Sequence, residues 1–280
     1  MYKNIILLTF FFLSNLFGKT QDTTALYKWK PGLTLGLKIS QLALSNWQAG
    51  GENTISWVTE NDFSLTYETK NWNFSNNLSL IFGRTKTGIK TFRTTHNKIQ
   101  LEHQLSYKIN WLVNPFIGNS LRTYFTKGYD YKKSEEKSTV NFFDPAYLTQ
   151  SLGFAYQKFK NFKFRFGVAV QEVFTSKHNS FTDNSLTRTI EKFKLETGIE
   201  SITSFETYLH KNINYKTKLR LFTRFKRFNI WDIRFDNSFI AKVNSYLKIK
   251  LDIFILYEKA QSIKTQFWQA LNLGITYKLF

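Results

Sequence analysis

The chain has no cysteine, one methionine and three prolines in 280 residues. Without cysteine it has no disulfide framework, which small exported domains often rely on. A closed strand ladder has no free edge and does without one. The chain also lacks any run of the ~20 consecutive apolar residues that a membrane-crossing helix requires. If it enters a membrane, it does so as strands. Histidine is scarce: His96, His103, His178 and His210 are the whole set. No two of them sit at metal-ligand spacing, so neither a metal nor a cofactor is expected. Acids are few beside bases, 20 against 39, for a net charge of +19. Such an excess can signal nucleic-acid binding. Here the bases are spread over the chain instead of gathered in one arm or helix, so no nucleic-acid partner is expected.

What the chain does have is aromatics, 18% of its residues and 29 of them Phe, together with a period of two. The last third makes the pattern plain. Ile213, Tyr215, Leu219, Leu221 and Phe225 share one parity, followed by Trp231, Ile233, Phe235, Phe239, Ala241 and Val243. Leu247, Ile249, Leu251, Ile253, Ile255 and Tyr257 come next, then Phe267, Leu271, Leu273, Ile275 and Tyr277. Charged residues fill many of the intervening positions. One apolar face and one charged face is what a membrane-spanning β-strand requires.

Read in order, the chain yields about twelve such strands. The first runs from Leu33 to Leu44, with a phase slip near Gln41 that predicts a bulge. Later ones are carried by Ile55–Tyr67, Trp72–Phe82, Ile99–Tyr107, Trp111–Phe125 (where Pro115 should disturb the ladder), Leu148–Tyr156, Phe162–Val170 and Glu191–Leu209. Short turns holding Asn71, Asn110, Asn161, Asn212 and Asn244 alternate with mostly longer polar connections, among them 83–95, 126–145 and 175–189. The 126–145 loop holds Glu135 and Glu136, a solvated pair. This alternation predicts an all-β fold: an up-and-down antiparallel transmembrane β-barrel with short periplasmic turns, longer outer loops and both termini in the periplasm. Trp72 and Trp111 then open strands at the periplasmic interface. A soluble lipocalin-like barrel is the rival reading; it would have fewer strands and an apolar interior.

The N-terminus supplies the route. Lys3 precedes an apolar stretch from Ile5 to Phe17, with small residues Gly18 and Thr20 after it. This matches a secretory signal peptide over 1–20, cut after 18 or 20. Residues 21–31 read as a periplasmic lead-in and 32–280 as the barrel. The expected location is the bacterial outer membrane. The expected partners are its lipids, the anionic phosphates of lipopolysaccharide and the barrel-assembly machinery, with the oligomeric state open.

The segment from Leu44 to Ser56 resembles the signature of an uncharacterised family of outer-membrane proteins of Bacteroidota, domain of unknown function 3078. It includes Asn46, Trp47, Gly50, Gly51, Glu52 and Asn53. Asp144–Tyr147, Asn214–Phe222, Lys242–Tyr246 and the ending Leu273–Phe280 are similar to the same family. The resemblance implies a β-barrel and supplies no activity. Phe280 is the terminal assembly signal that such a barrel would use, and Leu279 sets it out of phase with Tyr277.

If the apolar parity faces lipid, the inward set includes Lys163, Arg165, Lys192, Lys194, Glu196 and Glu200. It continues with Lys216, Lys218, Arg220 and Arg224, then Asp232, Arg234 and Asp236, and ends with Lys248, Lys250 and Asp252. Opposite signs on neighbouring strands should pair. These residues either form a salt-bridged plug or a constriction that sorts solutes by charge, tipped toward anions by its excess of bases. The expected function is therefore a small passive channel. A non-conducting structural or surface-contact barrel is the alternative, and no catalytic residue is expected. The third reading is a phospholipase-like hydrolase resting on the spacing of His178 and Ser180, which such an enzyme would need on a lipid-facing strand instead of in a polar loop.

Overall fold

A computed structural model describes residues 29–45, 51–109, 111–131, 137–184, 187–259 and 262–279. The expected signal peptide, most of the expected lead-in, Asn46, Trp47, Gly50, Asn110, Glu135, Glu136 and Phe280 lie outside the described residues. The strands are β1 (Trp29–Leu42), β2 (Thr54–Glu68), β3 (Trp72–Thr87), β4 (Arg93–Tyr107), β5 (Asn114–Thr123), β6 (Gly128–Asp130) and β7 (Lys137–Val140). They continue with β8 (Ala146–Tyr156), β9 (Phe162–Phe174), β10 (Phe193–His210), β11 (Ile213–Arg224), β12 (Arg227–Lys242), β13 (Leu247–Tyr257) and β14 (Gln266–Lys278). Twelve of them form one closed antiparallel barrel in chain order, while β6 and β7 make a separate hairpin inside the β5–β8 connection. Closure is made by β1 against β14, from Thr34 opposite Lys278 to Lys38 opposite Gly274. The ladder then has no open edge, the condition for strands to sit in a medium without water.

Because side chains alternate across the sheet, register fixes two faces. Outward positions are apolar and exposed: Leu35, Leu37 and Ile39 on β1, Phe166 and Val168 on β9, Phe267, Leu271, Leu273 and Ile275 on β14. Leu271 is 72% exposed, a degree that an apolar side chain in contact with water would disfavour. Among the described residues no helix is long and apolar enough to cross a membrane. At the rim with the short turns, aromatic side chains pair on the outward face. Trp29 lies 4.8 Å from Tyr67 and Trp72 4.7 Å from Tyr107, ring centre to ring centre, and Tyr246 stacks on Tyr277. Trp111 is exposed in the turn after β4.

The turn asparagines extend the ladder past the strand ends. The carbonyl of Asn71 accepts Lys108 N–H at 2.7 Å, that of Asn161 accepts Glu206 N–H at 2.8 Å, and that of Asn212 accepts Lys242 N–H at 2.8 Å. Asn244 instead caps its own turn, its Oδ1 accepting the N–H groups of Tyr246 and Leu247.

Several sequence expectations are corrected. The β1–β2 register runs unbroken from Trp29 opposite Tyr67 to Leu42 opposite Thr54, so no bulge forms at Gln41. Leu42 lies on the inward parity at the strand's end. β1 also takes in the last three residues of the expected lead-in. The connection expected over 83–95 shrinks to 88–92, because β3 and β4 pair beyond their apolar stretches, with a register shift at Gly83/Arg84. The 126–145 loop is not structureless: it holds β6 and β7. Pro115 sits at the second residue of β5, opposite Phe154 of β8, and the pairing of β5 with β4 begins only at Phe116, so its missing N–H costs that ladder nothing.

One arc of the wall is lined by small residues. Gly153 and Gly167 face each other across β8 and β9. A Cβ on Gly153 would lie 2.2 Å from the Phe166 carbonyl oxygen, and one on Gly167 2.2 Å from that of Leu152. Neither clash falls on a movable side-chain tip. Gly167→Ala should therefore lower stability by about 3 kcal/mol or more. Denaturant titration of the heat-modifiable folded band on a gel measures this, and an unchanged midpoint would show that the two strands can separate without penalty.

Candidate functional site

The candidate site is the barrel interior, where charged side chains from different walls meet. Three clusters form it. On β1, β2 and β13, Glu60 receives Lys38 at 2.7 Å and Lys250 at 2.5 Å, and Asp252 lies 3.2 Å from Lys250. On β9, β10, β11 and β12, Arg220 Nε donates to Glu200 at 2.7 Å and its Nη2 to Gln171 at 3.1 Å, with Arg165 3.9 Å from the same Glu200. Arg224 joins Glu196 and Asp232, each at 2.7 Å, and Lys194 reaches Glu196 at 2.8 Å. Between Arg220 and Arg224 the Phe222 ring is fully buried, with both guanidiniums about 5.5 Å from its centre.

The third cluster spans the lumen. Lys218 of β11 donates to Glu102 of β4 at 2.5 Å, and Arg234 of β12 reaches Gln100 of β4 at 3.4 Å. Arg165 of β9 donates to Gln104 of β4 at 3.2 Å. Arg122 of β5 pairs with Glu258, just past β13, at 3.3 Å and lies over the Tyr147 ring. In the strand order, β12 is diametrically opposite β4 and β13 is opposite β5, so these bonds close the interior from wall to wall. A cavity of about 30 Å³ remains among Gln100, Glu102, Arg122, Gln171, Arg220 and Arg234, space for roughly one or two waters. Toward the short-turn rim the interior widens to about 260 Å³ between Lys160, Lys163, Lys216, Glu206 and Asp236.

Each lumen residue read from the sequence can now be placed. Arg165, Lys194, Glu196, Glu200, Lys218, Arg220, Arg224, Asp232, Arg234, Asp236, Lys250 and Asp252 belong to the bonded clusters. Lys163 lines the wider cavity, and Lys216 lines it while paired with Glu206 at 2.9 Å. Lys248 stands apart from the clusters, directly opposite Lys242 in the β12–β13 register. Lys192 is not a lumen residue, since it precedes β10 in the β9–β10 loop, where its carbonyl accepts Thr175 N–H at 2.8 Å. Sequence reading passed over Lys38, Glu60, Gln100, Glu102, Gln104, Arg122, Gln171 and Glu258. The signal for Glu102 was present, since it alternates with Leu101 and Leu105. Its partner on β11 could not be read from β4 alone.

The other sequence candidates go elsewhere. His178 Nε2 meets Ser138 of β7 at 3.2 Å instead of bonding Ser180, which sits in a 3-10 turn. The nearby Asp144 carboxylate accepts the backbone N–H groups of Ser176, Lys177 and His178. It anchors the β9–β10 loop and does not orient the imidazole. Of the family-signature turn, Gly51 adopts a φ of 120° that favours glycine. Asn53 Oδ1 accepts Leu44 N–H at 2.5 Å, and the Asn53 carbonyl takes Gly88 N–H at 2.7 Å, docking the β1–β2 turn on the β3–β4 turn beside Glu52.

That turn lies within a stretch that is similar to a known family. Residues 39–129 match the family model DUF3078, described as protein of unknown function. The matched stretch runs from the end of β1 into β6 and contributes Glu60, Gln100, Glu102 and Arg122 to the interior. No characterised protein sequence matches the chain. Among solved structures, it is similar to an outer membrane channel from Pseudomonas putida F1, with 11% identity, 92% of this chain and 99% of that chain covered, and a TM-score of 0.39. It is also similar to the NanC porin, with 8% identity, 89% and 100% coverage and a TM-score of 0.40.

The clusters differ in burial, and that difference is measurable. Glu200 is almost fully buried between two arginines, whereas Glu206 and Lys216 are each about half exposed. Glu200→Gln should cost about 3 kcal/mol, because it leaves buried guanidinium charge unpaired. Glu206→Gln should cost less than about 1 kcal/mol. Gel-shift unfolding of the two variants side by side tests the ranking, and equal costs would mean that the Glu200 site is as wet as the rim.

Proposed function

We propose that the protein is an outer-membrane β-barrel acting as a narrow passive channel for small hydrophilic solutes, with Glu102, Lys218, Gln100 and Arg234 as its constriction. The observation that carries this reading is the wall-to-wall meeting of charged and amide groups around a water-sized gap. A barrel built only for strength could fill its interior with apolar side chains. Fixed charges at a narrow, hydrated point are what sorts permeating solutes by sign. At the constriction each base has its acid, Lys218 with Glu102, Arg220 with Glu200, Arg122 with Glu258 and Arg234 with Asp236. The anion preference therefore resides in the wider cavity, where Lys160, Lys163, Lys216 and Lys218 outnumber Glu206 and Asp236 at the approach.

A second reading, a non-conducting barrel serving envelope integrity or surface contact, draws on the smallness of the same gap. The wall-to-wall bonds then act as cross-braces and solute never passes. A lipid-modifying activity has less support, since His178 bonds Ser138 in the loops, away from the outward apolar face.

Single-channel recording in a planar bilayer under a salt gradient separates these readings. The wild type should give small discrete steps with a weakly anion-selective reversal potential. Glu102→Ala should enlarge the steps, and neutralising Lys216, Lys218 and Arg220 together should shift selectivity toward cations. A silent bilayer from correctly folded, heat-modifiable protein would establish the braced, non-conducting barrel.

A further inference from the structure

The outward face is apolar at most positions but carries a continuous polar row across β3, β4, β5 and β8. In the β3–β4 register Asn76 stands opposite His103, in β4–β5 His103 stands opposite Asn119, and in β5–β8 Asn119 stands opposite Gln150. The four side chains thus form a continuous line across four adjacent strands, about 15 Å wide at the usual strand spacing. All four are on the outward parity. The row above reads Leu78, Leu101, Leu121 and Leu148, and the row below reads Phe74, Leu105, Ile117 and Leu152. With leucines on both sides, the polar line lies at the depth of the apolar belt and not at its rim.

Part of the line is satisfied internally. His103 Nδ1 bonds Asn76 Oδ1, and Asn76 Nδ2 reaches the Leu65 carbonyl. Asn119 and Gln150 are exposed, and among the described residues their amides have no side-chain partner. One strand further on, Glu172 continues the upper row on β9, and its Oε2 is buried with no hydrogen-bond partner among the described residues. In hydrocarbon such groups are expensive, and side-chain amides there are typically used to hold one membrane segment against another.

We infer that this face, from β3 to β8, is where a second copy of the chain docks. A primary amide is both donor and acceptor, so Asn119 and Gln150 can bond the same residues of a symmetry-related copy. A two-fold interface requires that kind of self-complementarity. The apolar rows on either side supply the apolar contact around the amides. The neighbours of His103 on this face are Asn76, Asn119, Leu101 and Leu105, none a nucleophile, so the row is not a hydrolytic site. The inference rests on the barrel spanning the membrane but is independent of whether it conducts.

The absence of native cysteine makes the test direct. Asn119→Cys, His103→Cys and, as a control on the far side of the barrel, Leu271→Cys are each expressed in the full chain. Intact outer-membrane vesicles are then oxidised. The first two should cross-link to a species of twice the monomer mass, and Leu271→Cys should not. The double variant Asn119→Leu, Gln150→Leu, which only makes the lipid face more apolar, should convert the detergent-solubilised dimer to a monomer with its heat-modifiability intact. Equal cross-linking at all three positions, a wild type monomeric in detergent and nanodiscs, or cross-links to a species of another mass would each overturn the inference. Membrane fractionation of the same cells reports separately on the membrane placement.

Discussion

The constraint on which the structure depends is ladder closure. In a medium without water every strand N–H and C=O must find its partner within the protein. The pairing of β1 with β14 removes the last two free edges. Once the ring is closed, the period of two leaves each side chain only two places, the outer medium or the lumen. Charged residues thus have one destination. The interior network follows from this sorting, and the bases and acids concentrated on β4, β9 to β13 are brought together whether or not they adjoin in sequence.

Ring size then decides what they can reach. Eight strands give an interior that side chains simply fill, and more strands leave room. With twelve strands, ordinary side chains from opposite walls would not meet. Here the long reach of Arg122, Arg165, Lys218 and Arg234 bridges the difference. On the arc bearing Gly153 and Gly167 the missing side chains let β8 and β9 pair closely, since a Cβ on either glycine would strike the neighbouring strand's backbone. The bonds made by one wall to another also resist ovalisation of the ring, a role that holds under both the conducting and the non-conducting reading.

How much of this was legible in the sequence follows from the range of each interaction. Parity is local, so the apolar faces of β9, β11 and β13 and the charged positions opposite them could be read directly. The turn asparagines and the even strand number could be read the same way. The partners could not. Glu102 and Lys218 are 116 residues apart, Gln100 and Arg234 are 134, and Glu60 and Lys250 are 190. Those meetings depend on the tilt and stagger of the whole ring, which no window of sequence contains. The phase slip at Leu42 misled for a related reason. A strand that outruns the apolar layer no longer needs to obey its alternation, so a change of pattern there marks the layer's edge and not a bulge.

The same sorting explains the polar row outside. A single Asn, Gln or His among leucines on one strand reads as noise. Only register shows that Asn76, His103, Asn119 and Gln150 are neighbours. Inside the barrel a polar group finds a partner on another wall, because closure places one within reach. Outside, closure places nothing, and only the next strand is near. His103 and Asn76 use that one option on each other, which leaves the two amides further along the row facing outward. The physical asymmetry between the two faces is thus one of partner supply. Most charged side chains of the inner face have a partner in the fold, whereas the amides of Asn119 and Gln150 on the outer face have none among the described residues.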